Sequence, residues 1–410
     1  MKYAILVCDG AADWPIPELG HKTIFEAANI PNMNFLAQHG KMGLLKTVPD
    51  SMDAGSECAN MTILGYNPEK ELTGRGPLEA LSAGISLNEK DLAFRCNLVT
   101  IKDGLIDDYS AGHISSEEGK NLIGEIRLRF NTNGIEFFPG IQYRHILKLD
   151  GNTYSDELIL TPPHDILNKP YKNYLPKPKN ENNNSAKNTA KLLSTLIEQS
   201  NSILIDHPIN INRIQKGKKP ATHIWFWSGG HKPFIKPFKE KYGLAGGVIS
   251  AVDLIFGLGI AANLKPIHVE GATGLPDTNY FGKAKAGLDF LKDNDFILIH
   301  VEATDEMGHS GDYEMKKKAL EDFDKYIVGE FLKSEPSFNN ELVICVLPDH
   351  PTPCALRTHI RDPVPFVIYN PKSKIQNKNR IFSEKFGSIG EFGLIKDGET
   401  FIKILLGLKN

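Results

Sequence analysis

The apolar residues of this chain fall into short unbroken runs near its two ends and into alternation between them. Tyr3–Val7, Asp295–Val301 and Glu341–Leu347 are nearly continuous apolar stretches of strand length, the pattern of strands buried on both faces. Gly43–Thr47, Pro266–Glu270 and Val364–Tyr369 are further strand candidates. Helical spacing occurs after Pro31, where Met33, Leu36 and Ala37 share a face and Gly40 stops the run. Asp53–Gly65 reads as a turn opening a helix that ends at Gly65, and Gly74–Leu81 as a helix with Pro77 at its first position. Later helices are predicted over Val248–Ala262, Asn279–Leu291 and Glu399–Leu406. A long one carries Leu320, Phe323, Ile327, Phe331 and Leu332 on one stripe. This strand–helix alternation predicts an α/β core, a mostly parallel sheet sandwiched by helices.

The pattern changes near Leu87. Leu92–Thr100 alternates, with Phe94, Cys96 and Leu98 on one side and Arg95 and Asn97 on the other. Strand-like pieces recur at Tyr109–Ile114 and Ile141–Leu149. Pro- and Asn-rich segments precede an amphipathic helix carrying Leu192, Leu193, Leu196 and Ile197, and Trp225–Gly230 closes the region. The expectation is an inserted α+β domain over 88–240, interrupting a core made of 1–87 and 241–410.

Composition narrows the class. The chain has 410 residues, 41% hydrophobic and 24% charged, ordinary for a soluble globular protein and long enough for two domains. A formal net charge of −3 gives no electrostatic case for nucleic acid or an anionic membrane. The first apolar run ends at Asp9, too short for a signal peptide, and no stretch reaches the ~20 apolar residues of a membrane span. Five scattered cysteines without CxxC spacing (8, 58, 96, 345, 354) read as buried free thiols, so a cytoplasmic location is expected.

Candidate chemistry gathers where predicted strands end. Asp305 and His309 stand four apart after the run Asp295–Val301, on one face if the chain turns helical there. Alone, that pair reads as a helix cap with a surface histidine. A second cluster changes the reading: Asp349 and His350 follow Glu341–Leu347, His359 lies nine residues beyond His350, and Asp9 ends the first strand. Ligands of such sheets bind beyond the carboxyl ends of the strands. Ser56 stands where a helix is predicted to begin, either as its cap or as a hydroxyl facing an anion. Six or seven N/O donors exceed one Zn²⁺ and suit two ions of the Zn or Mn type, which can carry phosphoryl transfer to a serine. Gly257–Ala262 fits a dinucleotide fingerprint only on paper, since a helix is predicted before it, and no P-loop motif is present.

The ordered motifs Asp9-Gly10, Gly55-Ser56-Glu57, Gly74-Arg75-Gly76-Pro77-Leu78-Glu79-Ala80, Phe94-Arg95-Cys96-Asn97, Ala303-Thr304-Asp305, Gly308-His309 and Asp349-His350-Pro351-Thr352-Pro353 resemble the archaeal-type cofactor-independent (2,3-bisphosphoglycerate-independent) phosphoglycerate mutases of the alkaline phosphatase superfamily. The resemblance spans nearly the whole chain. It implies an alkaline-phosphatase-like core with an inserted cap and interconversion of 3- and 2-phosphoglycerate through a phosphoserine. It also implies two divalent ions, Mn²⁺ first with Zn²⁺ or Mg²⁺ as alternatives, and no 2,3-bisphosphoglycerate. Carried over, Ser56 is the nucleophile. Asp9, Ser56, Asp349 and His350 would hold one ion, and Asp305, His309 and His359 the other. Arg95, Asn97, Asp108, Arg144, His164 and Asp165 are the candidate contacts to a small phosphorylated substrate, in a monomer or small homo-oligomer. One departure stands out. The family's arginine-rich Asp-Arg-Arg-Ala-Gly-Arg run is here Asp108-Tyr109-Ser110-Ala111-Gly112-His113. Tyr, Ser and His replace bidentate anion contacts poorly. That leaves the phosphoserine chemistry intact and raises a second acceptor, another small alcohol such as homoserine.

Overall fold

Eight strands form the larger sheet in a computed structural model that describes residues 1–373 and 375–408. They are β1 (Lys2–Cys8), β2 (Lys41–Leu45), β3 (Gly246–Ile249), β4 (Lys265–Pro266), β5 (Phe296–Val301), β6 (Leu342–Leu347), β7 (Val364–Tyr369) and β8 (Leu394–Ile395). Their order is β4-β3-β5-β1-β6-β7-β2-β8. Only β7 runs against its neighbours β6 and β2. The sheet is thus mostly parallel and flanked by helices. The three longest apolar runs of the sequence occupy its centre: β5, β1 and β6 are buried almost throughout, as covering on both faces requires. Val7 lies opposite both His300 and Leu347, and this register brings three chain exits level at one edge.

Three expectations for this sheet need correction. Val248–Ala262 is not one helix: β3 takes Gly246–Ile249, and a helix starts at Asp253. Ser250 and Asp253, the polar residues between the two apolar segments, stand three apart as on one helix face and so do not mark the change. Gly257 and Gly259 therefore lie inside that helix rather than opening it, and a side chain at Gly259 would collide with Val248. Pro266–Glu270 contributes only the two-residue β4, and the long helix is interrupted. Tyr313–Phe323 and Gly329–Ser334 are joined through a π-turn at Asp324–Val328. The buried Asp324 carboxylate there accepts from the backbone N–H groups of Asn32 and Met33 (3.2 and 2.6 Å), tying the turn to the helix Pro31–His39.

The chain divides into two compact units, Met1–Leu72 with Ile235–Asn410, and Thr73–Phe234. The second begins at Thr73, not at 88, because the helix Arg75–Ser82 lies against two of its strands, Leu92–Lys102 and His223–His231. Gly76 permits that approach, since a Cβ would sit 2.6 Å from the Ala93 carbonyl and 2.8 Å from that of Ser228. Leu92–Lys102 is the central strand, antiparallel to Arg144–Leu149 and to His223–His231. Phe94, Cys96 and Leu98 join one core with Phe137, Leu193, Ile197 and Phe226. The helices Ser116–Phe130 and Asn184–Leu204 complete it.

Tyr109–Ile114 is a turn, not a strand. Ala111, Gly112 and His113 are all left-handed (φ 50°, 62° and 49°), a run that non-glycine residues adopt only when the surroundings enforce it. The enforcing group is Arg213, 2% exposed. Its Nη2 donates to the carbonyls of Ala111 (2.6 Å) and Gly112 (3.2 Å), Nε to that of Lys219 (2.9 Å), and Nη1 to Glu118 (2.8 Å). Removing this buried guanidinium strands four acceptors. Arg213→Ala is therefore expected to cost about 3 kcal/mol or more, and Arg213→Lys to restore little, lacking the planar fork. Urea unfolding of both variants is the check. A loss under about 1 kcal/mol in Arg213→Ala would show the turn holds itself.

Candidate active site

The level exits of β1, β5 and β6 deliver their next residues to one place. Asp9 follows β1, Asp305 lies in the helix Ala303–Ser310 that leaves β5, and Asp349 and His350 follow β6. Asp9, Asp305, Asp349 and His350 are all buried. Ser56 is the first residue of the helix Ser56–Ile63, behind an extended Gly55, and its hydroxyl does not cap that helix. Ser56 Oγ instead lies 3.1 Å from His350 Nε2, at a helix end whose free N–H groups favour an anion.

Two donor groups adjoin. In one, His350 Nε2 is 3.6 Å from Asp9 Oδ1 and 3.6 Å from Asp349 Oδ2. In the other, His309 Nε2 is 3.1 Å from Asp305 Oδ2, and His359 Nε2 is 3.3 Å from Asp305 Oδ1 and 2.9 Å from His309 Nε2. Asp305, His309 and His359 can close on one cation, and Asp9, Asp305 and His350 on another. All seven metal and nucleophile candidates are thus gathered within the first unit.

Electrostatics favour a cation here. Burial, together with Asp349 and Asp305, pushes the Asp9 carboxyl well above the usual range. Asp9 Oδ1 is buried without a hydrogen-bond partner, a costly state that a bound cation relieves. Against its own burial, Asp305 is held well below its ordinary value by His309 and His359, while Asp305 raises His309 to about 9. Burial likewise lifts Glu302, near Glu306 and Asp305, to about 8. Carboxylates plus imidazoles suit Zn²⁺- or Mn²⁺-type ions, so the residues present fit divalent metal.

Supporting groups fix these side chains. Asn60, one turn after Ser56, donates to the Ser56 carbonyl (2.9 Å) and to Asp349 Oδ2 (2.8 Å). Asp349 Oδ1 accepts from the N–H groups of Gly10 and His350. Gly10 (φ 62°) cannot carry a side chain, because a Cβ would run into Asp305. Thr352 donates to Asp305 Oδ1, and its carbonyl accepts from Lys316, whose Nζ also meets Asp13 at 2.8 Å. None of Asn60, Thr352 and Lys316 is picked out by motif or spacing. His300, whose Nε2 lies 3.1 Å from Asp9 Oδ2, does leave a signal in the sequence, as a histidine inside an otherwise apolar strand.

The substrate candidates belong to the second unit. Arg95 stacks over Trp227 (4.1 Å) and its Nε lies 3.1 Å from Glu79. Asn97 accepts from Trp227 Nε1 (3.1 Å) and donates to the Tyr109 carbonyl (3.3 Å). Arg144 pairs in register with Asn97, and the His164 ring lies 5.3 Å from Trp227 and 6.0 Å from Tyr109. Asp108 Oδ1 is taken up by the N–H and hydroxyl of Ser110 (2.7 and 2.6 Å). Asp165 is largely exposed, 3.7 Å from His164 Nε2. Trp227, which links Arg95, Asn97 and His164, carries no functional signal in the sequence.

Known proteins share both this sequence and this architecture. A family profile described as 2,3-bisphosphoglycerate-independent phosphoglycerate mutase matches residues 37–210. The chain is 48% identical over 409 residues to the 2,3-bisphosphoglycerate-independent phosphoglycerate mutase of Methanosarcina barkeri, covering 100% of both chains. It is 43% identical to the probable enzyme of that name from Geobacter sulfurreducens, covering 90% of this chain and 91% of that one. Among solved structures, the cofactor-independent phosphoglycerate mutase of Thermoplasma acidophilum superposes with a TM-score of 0.69 at 28% identity, covering 99% of both chains. A Pyrococcus horikoshii protein gives 0.83 at 28% identity, covering 99% and 96%. The chain belongs to the 2,3-bisphosphoglycerate-independent phosphoglycerate mutase family. Among the described residues no helix is long and apolar enough to cross a membrane, and all five cysteines are buried free thiols.

A buried carboxyl beside the site gives a pH signature. Glu384 accepts from Thr23 Oγ1 (2.8 Å) and the Asp13 N–H (3.4 Å), and burial pushes it from 4.5 to about 7. Between those values the folded chain keeps a proton that the unfolded chain releases. Its contribution to stability therefore falls as pH rises from about 4.5 to 7 and levels off above. Glu384→Gln is expected to gain on the wild type across that window and hold its lead above it. Urea unfolding at stepped pH is the measurement; curves that stay parallel would remove the assignment.

Proposed function

We propose that the chain is a phosphoglycerate mutase, an isomerase that interconverts 3- and 2-phosphoglycerate through phospho-Ser56. What carries the reading is Ser56 Oγ at an uncapped helix N-terminus, 3.1 Å from His350 Nε2, which itself lies 3.6 Å from the unpartnered Asp9 oxygen. Asp9, Ser56, Asp349 and His350 would hold one divalent ion and Asp305, His309 and His359 a second, with Mn²⁺ the first choice for this mixture of carboxylate, hydroxyl and imidazole. Such ions supply Lewis acidity and lower the cost of a serine alkoxide. In the first transfer the Ser56 Oγ–P bond forms, the P–O bond to carbon 3 breaks, and the serine proton ends on the released hydroxyl. The second transfer reverses this onto the carbon 2 oxygen, so no 2,3-bisphosphoglycerate is required. N–H groups at the start of Ser56–Ile63 stabilise the phosphoserine.

The substrate is held, on this proposal, by Arg95, Asn97, Asp108, Arg144, His164 and Asp165, the second unit acting as a cap, and the reaction belongs to cytoplasmic glycolysis. A second reading keeps the core and changes the acceptor to another small alcohol such as homoserine. It is favoured by Asp108–His113, which offers no arginine and whose aspartate is already engaged by Ser110. Turnover of 3-phosphoglycerate with Mn²⁺, run beside a panel of phosphorylated and free small alcohols, separates the two.

The nucleophile and the ions are tested separately. Ser56→Ala is expected to lose phosphoryl transfer by at least about 10³-fold, and mass spectrometry of trapped enzyme to place the phosphate on Ser56. Phosphate on another side chain, or near-normal transfer by the alanine variant, would sink the mechanism. Asp305→Asn and His309→Ala are each expected to lose one of two bound ions and nearly all turnover while staying folded, by metal analysis and circular dichroism. Two ions retained with normal turnover in both would remove the ligand assignment.

A further inference from the structure

Trp227 is absent from the substrate contacts proposed above, yet three of them meet it. It owes its place to an irregularity in the sheet of the second unit. At the start of Leu92–Lys102, Leu92 pairs with His231 and Ala93 with Gly230, but Arg95 pairs with Trp227 rather than with Ser228. Two residues, Ser228 and Gly229, thus stand against one, Phe94. This is a β-bulge, a device that re-aims a side chain beside a site. Both of its residues are held. Ser228 is left-handed (φ 48°), a costly backbone for a residue other than glycine. Its Oγ accepts the Arg75 N–H at 3.1 Å, satisfying the first N–H of the helix Arg75–Ser82. At Gly229 a Cβ would run into the Phe94 ring.

Residues opposed in a sheet share a face. The bulge therefore sets the indole on the face of Arg95 and Asn97, and Arg144, opposite Asn97 on the other neighbouring strand, joins them. Continued without the extra residue, the first register would place Ser228 opposite Arg95, and Trp227 opposite Cys96 on the other face. Two contacts follow from the placement. The Arg95 guanidinium lies over the indole at 4.1 Å. Arg95 is 8% exposed. Burial pushes it below its ordinary value, and the charges of Arg75 and Arg144 add to that against Glu79. An aromatic face stabilises a cation most where water is excluded. The second contact is the indole N–H, which donates to Asn97 Oδ1 at 3.1 Å. An indole nitrogen only donates and a carbonyl only accepts. The Asn97 amide accordingly has one orientation, its oxygen to Trp227 and its Nδ2 to the Tyr109 carbonyl (3.3 Å).

We propose that Trp227 is a positioning residue of the substrate site: its indole face holds the Arg95 guanidinium in one plane, and its N–H fixes the Asn97 amide. The inference rests on the reading of Arg95 and Asn97 as substrate contacts. Two polar side chains of one strand are thus oriented by a single rigid ring from its neighbour, and the edge of the same ring system meets His164, 5.3 Å between centroids. An arginine free to move loses part of its contact energy to ordering on binding, whereas one already laid flat on an indole loses little. Loss of Trp227 is therefore expected to weaken substrate binding and to leave the chemistry at Ser56 unchanged. Binding that is equal in the ground and transition states appears in KM alone.

The experiment measures kcat and KM for 3-phosphoglycerate with the Mn²⁺-loaded full-length protein, and folding by circular dichroism, in Trp227→Phe, Trp227→Leu, Ser228→Gly and Ser228→Val. Phe keeps a ring face and loses the donor, so KM should rise about 5- to 10-fold with kcat within about 3-fold of wild type. Leu loses both, and KM should rise about 30-fold or more with kcat again nearly kept. The two Ser228 variants lack the hydroxyl alike and differ in tolerance of a left-handed backbone. Ser228→Gly should hold KM within about 3-fold of wild type. Ser228→Val should raise KM about as far as Trp227→Leu does, although the tryptophan is still present. A fall in kcat at unchanged KM in Trp227→Leu is the mark of a merely structural role and overturns the proposal. Equal KM in the Phe and Leu variants overturns it too, because the ring face would then contribute nothing. If Trp227→Leu does not fold, wild-type KM in Trp227→Phe and Ser228→Val overturns it instead. Arg95→Gln is the control for the underlying reading. A normal KM there shows that Arg95 does not hold substrate, and the inference falls with that assignment, whatever the Trp227 variants do. A wild type inactive on 3-phosphoglycerate would sink the mutase reading itself, and the inference with it.

Discussion

The site depends on one constraint, the parallel pairing of β1 with β5 and β6 in a register that brings their carboxyl ends level. Parallel strands buried on both faces must be nearly continuous apolar runs, and a slip by one residue would turn each strand's side chains to the opposite face. Because Val7, His300 and Leu347 lie side by side, the next few residues of three distant segments reach the same few ångströms. Carboxylates forced together in that way repel one another and lose hydration. Compensating charge is supplied within the chain by His309, which Asp305 raises to about 9, and, on the proposed reading, by divalent ions.

Around this constraint the chain places a frame of polar contacts aimed at oxygens. Asn60 ties the start of the Ser56 helix to Asp349, Thr352 ties the loop after β6 to Asp305, and Lys316 ties that same loop to Asp13. Gly10 and Gly308 leave room for the approach, since a Cβ at Gly308 would lie 2.5 Å from the Thr352 carbonyl. The ligand positions are thus set by hydrogen bonds from residues outside the proposed ligand sets.

Much of this was legible in the sequence, for physical reasons. Strands that must be apolar on both faces advertise themselves, and a charged residue directly after such a strand has few places to go; Asp9, Asp305 and Asp349 were readable on that basis. The contacts that orient them were not. Asn60, Thr352 and Lys316 look in the sequence like any polar residue on a helix or loop, and only the fold shows what they face. β3 is not separable from the next helix by pattern, because Ser250 and Asp253, the polar residues between them, stand three apart as they would on one helix face. The turn at Tyr109–Ile114 looks like a strand in the sequence because its left-handed backbone is enforced by Arg213, about a hundred residues away in sequence.

The grip of Arg213 has a consequence for how this turn can diversify. Within the turn its guanidinium meets only backbone carbonyls, those of Ala111 and Gly112, and no side chain. The path of the chain there accordingly does not depend on the side chain at Tyr109, whereas position 113, left-handed at φ 49°, stays restricted to residues that tolerate that backbone. Mutation can exchange the Tyr109 side chain while the frame that displays it stays put, without passing through an unfolded or loosened intermediate. The turn behaves as an interchangeable cassette clamped from behind, and the phosphoryl-transfer core can evolve under constraints of its own.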